Sequence, residues 1–233
     1  MNSDKPLFYQ SNLSIDQQNQ LLDEETRKHV VTVLRMKEGD AFTVTNGAGL
    51  SANAVLQKID KKQAVVMLDE FQQHERKGNR ITLGISLLKN NTRFEWMLEK
   101  VTELGVFEIF PLLLDRTERQ HFRKERFEQI IRSASLQSEQ YFFPFLHEPI
   151  NLSQLLQKGE LPITRMIAHC YSTEKKSIKK NSADTILLIG PEGDFTEDEI
   201  QLAMENQFIP VEMGATRLRT ETAGIVGVAL LRG

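Results

Sequence analysis

From Ala41 to Phe71 apolar and polar residues alternate with a period near two. Ala41-Phe-Thr-Val-Thr45 runs into the turn Asn46-Gly-Ala-Gly49, and Ala52–Ile59 and Ala64–Leu68 follow on either side of Lys61-Lys62. Short strands joined by tight turns predict a small antiparallel sheet or barrel. Ahead of them, Asp23–His29 predicts a short helix and Val30–Leu34 an extended segment. The polar stretch that follows breaks the alternation and reads as a linker. The expected division is a first domain over 1–72, a linker over 73–79 and a second domain over 80–233.

Beyond the linker the period changes. Ile81–Leu88 is an apolar run suited to a buried strand. Thr92-Arg-Phe-Glu95 has the form of a capping box, and Phe94, Met97, Leu98, Val101 and Leu104 follow at helical spacing as far as Gly105, placed to end the helix. Val106–Leu114, Ile163–Cys170, Thr185–Ile189 and Phe208–Met213 predict further buried strands. Phe127, Ile130, Ile131 and Ala134 mark another helix, and Thr196-Glu-Asp-Glu199 is a second capping box ahead of Ile200, Ala203 and Met204. A last helix, Ala223–Leu231, is apolar nearly all round. Strands alternating with helices imply an α/β domain with a parallel sheet covered on both faces.

Composition narrows the function classes. With 40% hydrophobic and 26% charged residues, the chain has the make-up of a folded globular protein. A net charge of −3 excludes a global basic field, so any nucleic-acid surface is a local patch. The single cysteine, Cys170, cannot form an internal disulfide. The amino terminus is polar, and no apolar run approaches the roughly 18 residues of a membrane span. The expected location is the cytoplasm, without membrane contact. The five histidines show no zinc-ligand spacing, so no metal is expected. There is no G-x-S-x-G elbow, G-x-G-x-x-G fingerprint or P-loop lysine.

Three segments could carry chemistry. In Leu188-Ile-Gly-Pro-Glu-Gly-Asp-Phe195 a buried strand ends in a Gly/Pro turn before a capped helix, the position where open α/β sheets bind ligands. The plain alternative is a strand-to-helix turn with glycine for geometry. In Met213-Gly-Ala-Thr-Arg-Leu-Arg-Thr-Glu-Thr-Ala223 two arginines, three threonines and a glutamate crowd the same edge. As a structural alternative, Thr220 or Thr222 caps the last helix and Arg217 and Arg219 are solvated. In Arg116–Arg126 several cations surround Phe122, as in a phosphate- and base-contacting surface, or as in a solvated helix face.

Taken together these segments resemble the RsmE family of small-subunit ribosomal RNA uridine-N3 methyltransferases, in the SPOUT superfamily. The resemblance rests on His29–Asp40, Asn46–Gly49, Glu99–Gly105, Ala134–Ser138, Ile189-Gly-Pro-Glu-Gly193 and Leu218-Arg-Thr-Glu-Thr-Ala223, and covers nearly the whole chain. It implies a PUA-like RNA-binding barrel, a knotted α/β methyltransferase domain, a homodimer, S-adenosyl-L-methionine as cofactor and ribosomal RNA of the small subunit as partner. Mapped onto this chain, the cofactor site comprises His169; Leu188, Ile189, Gly190, Pro191, Glu192 and Gly193; and Met213, Gly214, Leu218, Arg219, Thr220, Thr222 and Ala223. Leu188, Met213 and Leu218 are its expected apolar walls. Arg219 is the expected charge-stabilising group, with Glu221 orienting it or accepting the proton. Arg35, Arg116, Arg119, Arg123, Lys124, Gln137 and Gln140 are the expected RNA contacts. The chain departs from the family pattern at Asp194, where members carry a second glycine, and at Leu136 and Gln140, where they carry Glu and Arg. The competing readings are a non-catalytic RNA-binding or ribosome-assembly protein on the same fold, and a ribose 2′-O-methyltransferase.

Overall fold

The computed structural model describes residues 5–118, 121–159, 161–171, 174–180 and 182–233. It divides into two compact units, one reaching to Lys77 and including Ser135–Phe143, the other comprising Gly78–Ala134 and Pro144–Gly233.

The first unit holds β1 (Leu7–Tyr9), β2 (Asn19–Leu21), α1 (Glu24–Arg27), β3 (Ala41–Thr45), β4 (Leu50–Ile59) and β5 (Ala64–Gln73). Its sheet runs β1-β3-β4-β5-β2, with β1 parallel to β3 and the other pairs antiparallel. The alternation read from the sequence supplies the core: Phe42, Val44, Ala52, Ala54, Leu56, Val66 and Leu68 all turn inward. Val30–Leu34 is not extended as expected. After α1 the chain continues as a π-helical segment, Lys28–Val33, in which the Leu34 amide donates to the His29 carbonyl at 2.9 Å. The β-branched run favours extended chain only weakly, and burial of Val30 in the core overrides it.

The Asn46–Gly49 turn has a packing purpose that periodicity does not reveal. It receives the segment Tyr141–Phe143, through Gly49 N–H to the Tyr141 carbonyl and Phe143 N–H to the Gly47 carbonyl, both 2.8 Å. Phe142 fills the space above Gly49, where a Cβ would stand 2.5 Å from the ring, and Gly49 has φ +99°. His74 stacks on Tyr141 with ring centres 3.7 Å apart and shares a 2.8 Å hydrogen bond with Ser51. The linker expected over 73–79 therefore starts inside this unit, and Ser135–Phe143, expected in the second domain, packs here. Gly49→Ala is expected to lower stability by about 2–4 kcal/mol, from a left-handed backbone and an overpacked contact. Urea denaturation checks it.

The second unit contains β6 (Ile81–Ser86), α2 (Asn91–Glu103), β7 (Glu108–Leu113), α3 (Lys124–Gln137, which crosses the unit boundary), β8 (Phe145–Leu146), β9 (Ile150–Asn151), α4 (Leu152–Leu156), β10 (Thr164–Ala168), β11 (Lys176–Ser177), β12 (Thr185–Ile189), α5 (Glu197–Glu205), β13 (Ile209–Glu212) and α6 (Thr220–Arg232). The sheet order is β11-β13-β10-β12-β6-β7-β8, with β9 also on β7, and every pairing is parallel. β6 and β12 are buried along their whole length, as strands covered on both faces must be. On one face, Leu83, Leu187 and Ile189 pack with Met97, Val101, Phe127 and Val228 of α2, α3 and α6. On the other, Ile167, Ile186 and Leu188 pack with Leu155, Ile200 and Ala203 of α4 and α5. α2 is capped two residues earlier than its expected box: Asn90 accepts from the Thr92 and Arg93 amides, and Glu95 pairs with Arg126 at 2.9 Å. The box at Thr196 forms reciprocally with Glu199. No helix among the described residues is long and apolar enough to cross a membrane.

Candidate active site

β10 lies between β13 and β12, so the carboxyl ends of these three parallel strands are neighbours. The chain leaves each of them into a loop, and the loops enclose a cavity of about 630 Å³. This is the crevice where parallel α/β sheets bind ligands, and its size suits a small molecule.

Side chains from distant segments fasten the loop after β12. Thr220 does not cap α6; its buried hydroxyl donates to the Gly190 carbonyl at 3.0 Å, and Arg219 stands at the N-cap position without a side-chain cap bond. Arg217 donates to the Glu192 carbonyl at 3.1 Å. Arg116 donates through Nη1 to the Gly193 carbonyl at 2.7 Å and to the Phe195 carbonyl at 3.2 Å. Glu199 caps its own helix through the Thr196 amide and also accepts from the Asp115 amide at 2.9 Å, which holds the segment carrying Arg116.

The lining combines two characters. Ile189, Val211, Met213, Leu218 and Ala223 make apolar walls, while Lys175, Arg217 and Arg219 stand with Glu192, Asp194 and Glu212. Arg219 is exposed and its side chain forms no hydrogen bond or ion pair with any described residue, so its donors are open to a ligand. His169 is only 7% exposed, and neither ring nitrogen has a hydrogen-bond partner among the described residues. Two buried, unpaired nitrogens cost about 1–3 kcal/mol each unless a ligand satisfies them. Burial of the ring, with Lys175 nearby, holds its pKa below the usual 6.5, so the imidazole is neutral at pH 7 and offers one donor and one acceptor.

That shift has a sign in stability. Well above pH 6.5 the ring is neutral in both the folded and unfolded chain. As the pH falls below 6.5 the unfolded chain takes up the proton first, so stability is lost. Burial lowers the pKa of His74 as well, with the same consequence. The melting temperature is expected to fall between pH 7.5 and 5.5, and less steeply in His169→Asn. Equal slopes would contradict the assignment.

Of the residues expected at the cofactor site, His169, Ile189, Gly190, Pro191, Glu192, Met213, Gly214, Leu218, Arg219, Thr220 and Ala223 line the cavity. Leu188 does not. Strand alternation sends its side chain into the opposite core, and Ile189 is the wall instead. Gly193 faces the Arg116 side chain. Glu221 and Thr222 follow Arg219 around the helix, by about 200° and 300°. Glu221 is accordingly buried outside the cavity lining, with its ion pair made to Arg93 Nε at 3.8 Å. Lys175, Asp194, Glu212 and Arg217 are lining residues that sequence reasoning missed. The signal for Asp194 and Arg217 was their place inside the two singled-out loops.

The expected RNA contacts fall in both units. Arg35, Gln137 and Gln140 belong to the first, where Arg35 and Gln137 are exposed and Gln140 donates to Ser138 Oγ at 2.9 Å. Arg123, in the second, is exposed, Lys124 pairs with Glu148 at 2.6 Å, and Arg116, also exposed, has its Nη1 bonded to the cavity loop. Arg119 lies outside the described residues.

Residues 74–232 match the model of the RNA methyltransferase domain, and residues 22–68 that of the RNA methyltransferase PUA domain. A ribosomal RNA small subunit methyltransferase E from Synechocystis is 32% identical over 84% of this chain and 67% of its own length. The crystal structure of a probable rRNA-methyltransferase from Porphyromonas gingivalis superimposes with a TM-score of 0.88 at 34% identity, over 96% of this chain and 95% of that one. That of a ribosomal RNA small subunit methyltransferase E from Neisseria gonorrhoeae, bound to S-adenosyl methionine, gives 0.85 at 30% identity, over 97% and 95%. With a first unit of the PUA type and a SPOUT-type parallel sheet bearing a lined cavity at its strand ends, the chain belongs to the family of RNA methyltransferases that includes the ribosomal RNA small subunit methyltransferases E.

Proposed function

We propose that this protein uses S-adenosyl-L-methionine to methylate N3 of a uridine in small-subunit ribosomal RNA, as a cytoplasmic homodimer. The observation that carries the reading is the cavity itself, with apolar walls, mixed charges and an unpaired buried His169. Those features fit a compound with a flat heteroaromatic ring and a zwitterionic tail. When bound, S-adenosyl-L-methionine supplies a methyl group on a sulfonium centre.

The remaining work falls to this chain's own residues. Backbone groups of Ile189–Glu192 and Leu218–Thr220 would hold the ring, between Ile189, Met213 and Leu218. Neutral His169 would satisfy polar atoms of the ligand that enter the pocket. N3 of uracil carries a proton and is a poor nucleophile until that proton passes to solvent water. Arg219, with its donors open beside the amino end of α6, would stabilise the negative charge that then grows on the flanking carbonyl oxygens. Glu221 would act on the helix, through Arg93, and not on the uridine. The target nucleotide would be extruded from its stack, at less cost in a loop or single strand. The PUA-type unit, with Arg35, Gln137 and Gln140, and Arg123 of the second unit would hold the RNA backbone.

The homodimer draws support from α2 and α6, which pack together yet leave Trp96 47% and Leu230 36% exposed. Light scattering is expected to give twice the chain mass of 26.7 kDa; a monomer would remove the partner subunit from the account. The activity is tested by incubating undermethylated small subunits with labelled cofactor and identifying the modified nucleoside. The expected product is 3-methyluridine. A 2′-O-methylated nucleoside, or no incorporation, would contradict the proposal.

A further inference from the structure

Asp194 is the one place in the β12 loop where the chain sets an acidic side chain in a left-handed backbone, with φ +66°. A non-glycine residue there costs conformational energy, so the side chain has to repay what a glycine would save. Its carboxylate does so by joining two cavity walls. Oδ2 accepts from the Cys170 amide, just past β10, at 2.7 Å, and Oδ1 accepts from the Phe195 amide at 2.9 Å. Cys170 and Asp194 both line the cavity. Arg116 spans the same two segments: its Nη1 lies 3.3 Å from the Tyr171 hydroxyl as well as bonding the Gly193 and Phe195 carbonyls.

We infer that Asp194, backed by Arg116, is a positioning residue that holds the β10 end and the β12 loop at a fixed separation, so that the ligand meets a slot already formed. The inference rests on the reading of this cavity as the cofactor site. A site ordered beforehand loses less free energy on binding, so the effect belongs in affinity more than in turnover. Arg116 and Asp194 together also explain why the loop needs no glycine at position 194.

The test compares the full-length wild type with Asp194→Gly and Asp194→Asn. Glycine relieves the left-handed backbone, so the variant is expected to fold. By calorimetry, its dissociation constant for S-adenosyl-L-methionine rises roughly tenfold, as loss of one or two charge-assisted hydrogen bonds implies. The change in steady-state kinetics falls on KM for the cofactor more than on kcat. Asparagine tolerates the same backbone and keeps an acceptor, so Asp194→Asn recovers most of the affinity. In the ligand-free protein, hydrogen exchange at the Cys170 amide speeds up in the glycine variant. Wild-type affinity in Asp194→Gly, or unchanged protection of Cys170, overturns the inference. If the wild type itself takes up no cofactor, the site reading fails instead, and the exchange measurement still decides whether Asp194 joins the two walls.

Discussion

Gly190→Val is expected to abolish measurable uptake of S-adenosyl-L-methionine, a loss of roughly a hundredfold or more in affinity. A Cβ at position 190 would stand 2.9 Å from the Phe195 ring and 3.1 Å from the Phe195 backbone nitrogen. Neither can give way easily, because Phe195 is fully buried and its amide is bonded to Asp194. The loop must move instead, and with it the Gly190 carbonyl that Thr220 holds. One substitution therefore unseats two of the three segments that build the slot. Circular dichroism and the melting transition separate this from unfolding: β12 ends at Ile189, before the substituted position, so a folded protein, less stable at Phe195 and without binding, is the expected result. Normal affinity by calorimetry would discredit the pocket.

Arg219→Ala is expected to act on the other half of the reaction. Removing a donor aimed at developing charge typically lowers turnover by about 10²–10³. Arg219 makes no bond that holds the loops, whereas Arg217, two residues earlier, does. Cofactor affinity should therefore stay within about threefold while kcat collapses, and Arg219→Lys should restore a part by returning the charge without the planar fork. Equal turnover in wild type and Arg219→Ala would remove the guanidinium from the chemistry.

The parts of the fold that can be read from the sequence are those written in local period. The strands at 41–45, 81–86 and 185–189 and the helix at 197–205 follow from alternation, apolar runs and a reciprocal capping box. What periodicity cannot carry is which segments meet. The insertion of β13 beside β10, and the return of Tyr141–Phe143 to the Asn46–Gly49 turn, are long-range pairings with no local mark. The π-helical Lys28–Val33 was hidden because Val-Val-Thr-Val suggests extended chain until the burial of Val30 is known.

The site shows the same division. The two loops stood out as compact clusters of glycine, proline and charge, and both line the cavity. The direction of individual side chains within them did not. Leu188 and Ile189 are equivalent to a sequence reader, yet one strand step puts them on opposite faces. Glu221 looked like the natural companion of Arg219, but two helical steps turn it toward Arg93. Arg116 was one cation among several until the fold brought it to the carbonyls of Gly193 and Phe195.

The central claim is that the loops after β10, β12 and β13 form a slot for S-adenosyl-L-methionine. Direct equilibrium titration of the purified protein with that compound tests it most simply. The account predicts saturable binding of one molecule per chain, with a dissociation constant between about 1 μM and 1 mM, as is usual for enzyme ligands. Heat or fluorescence changes that never saturate across this range would contradict it.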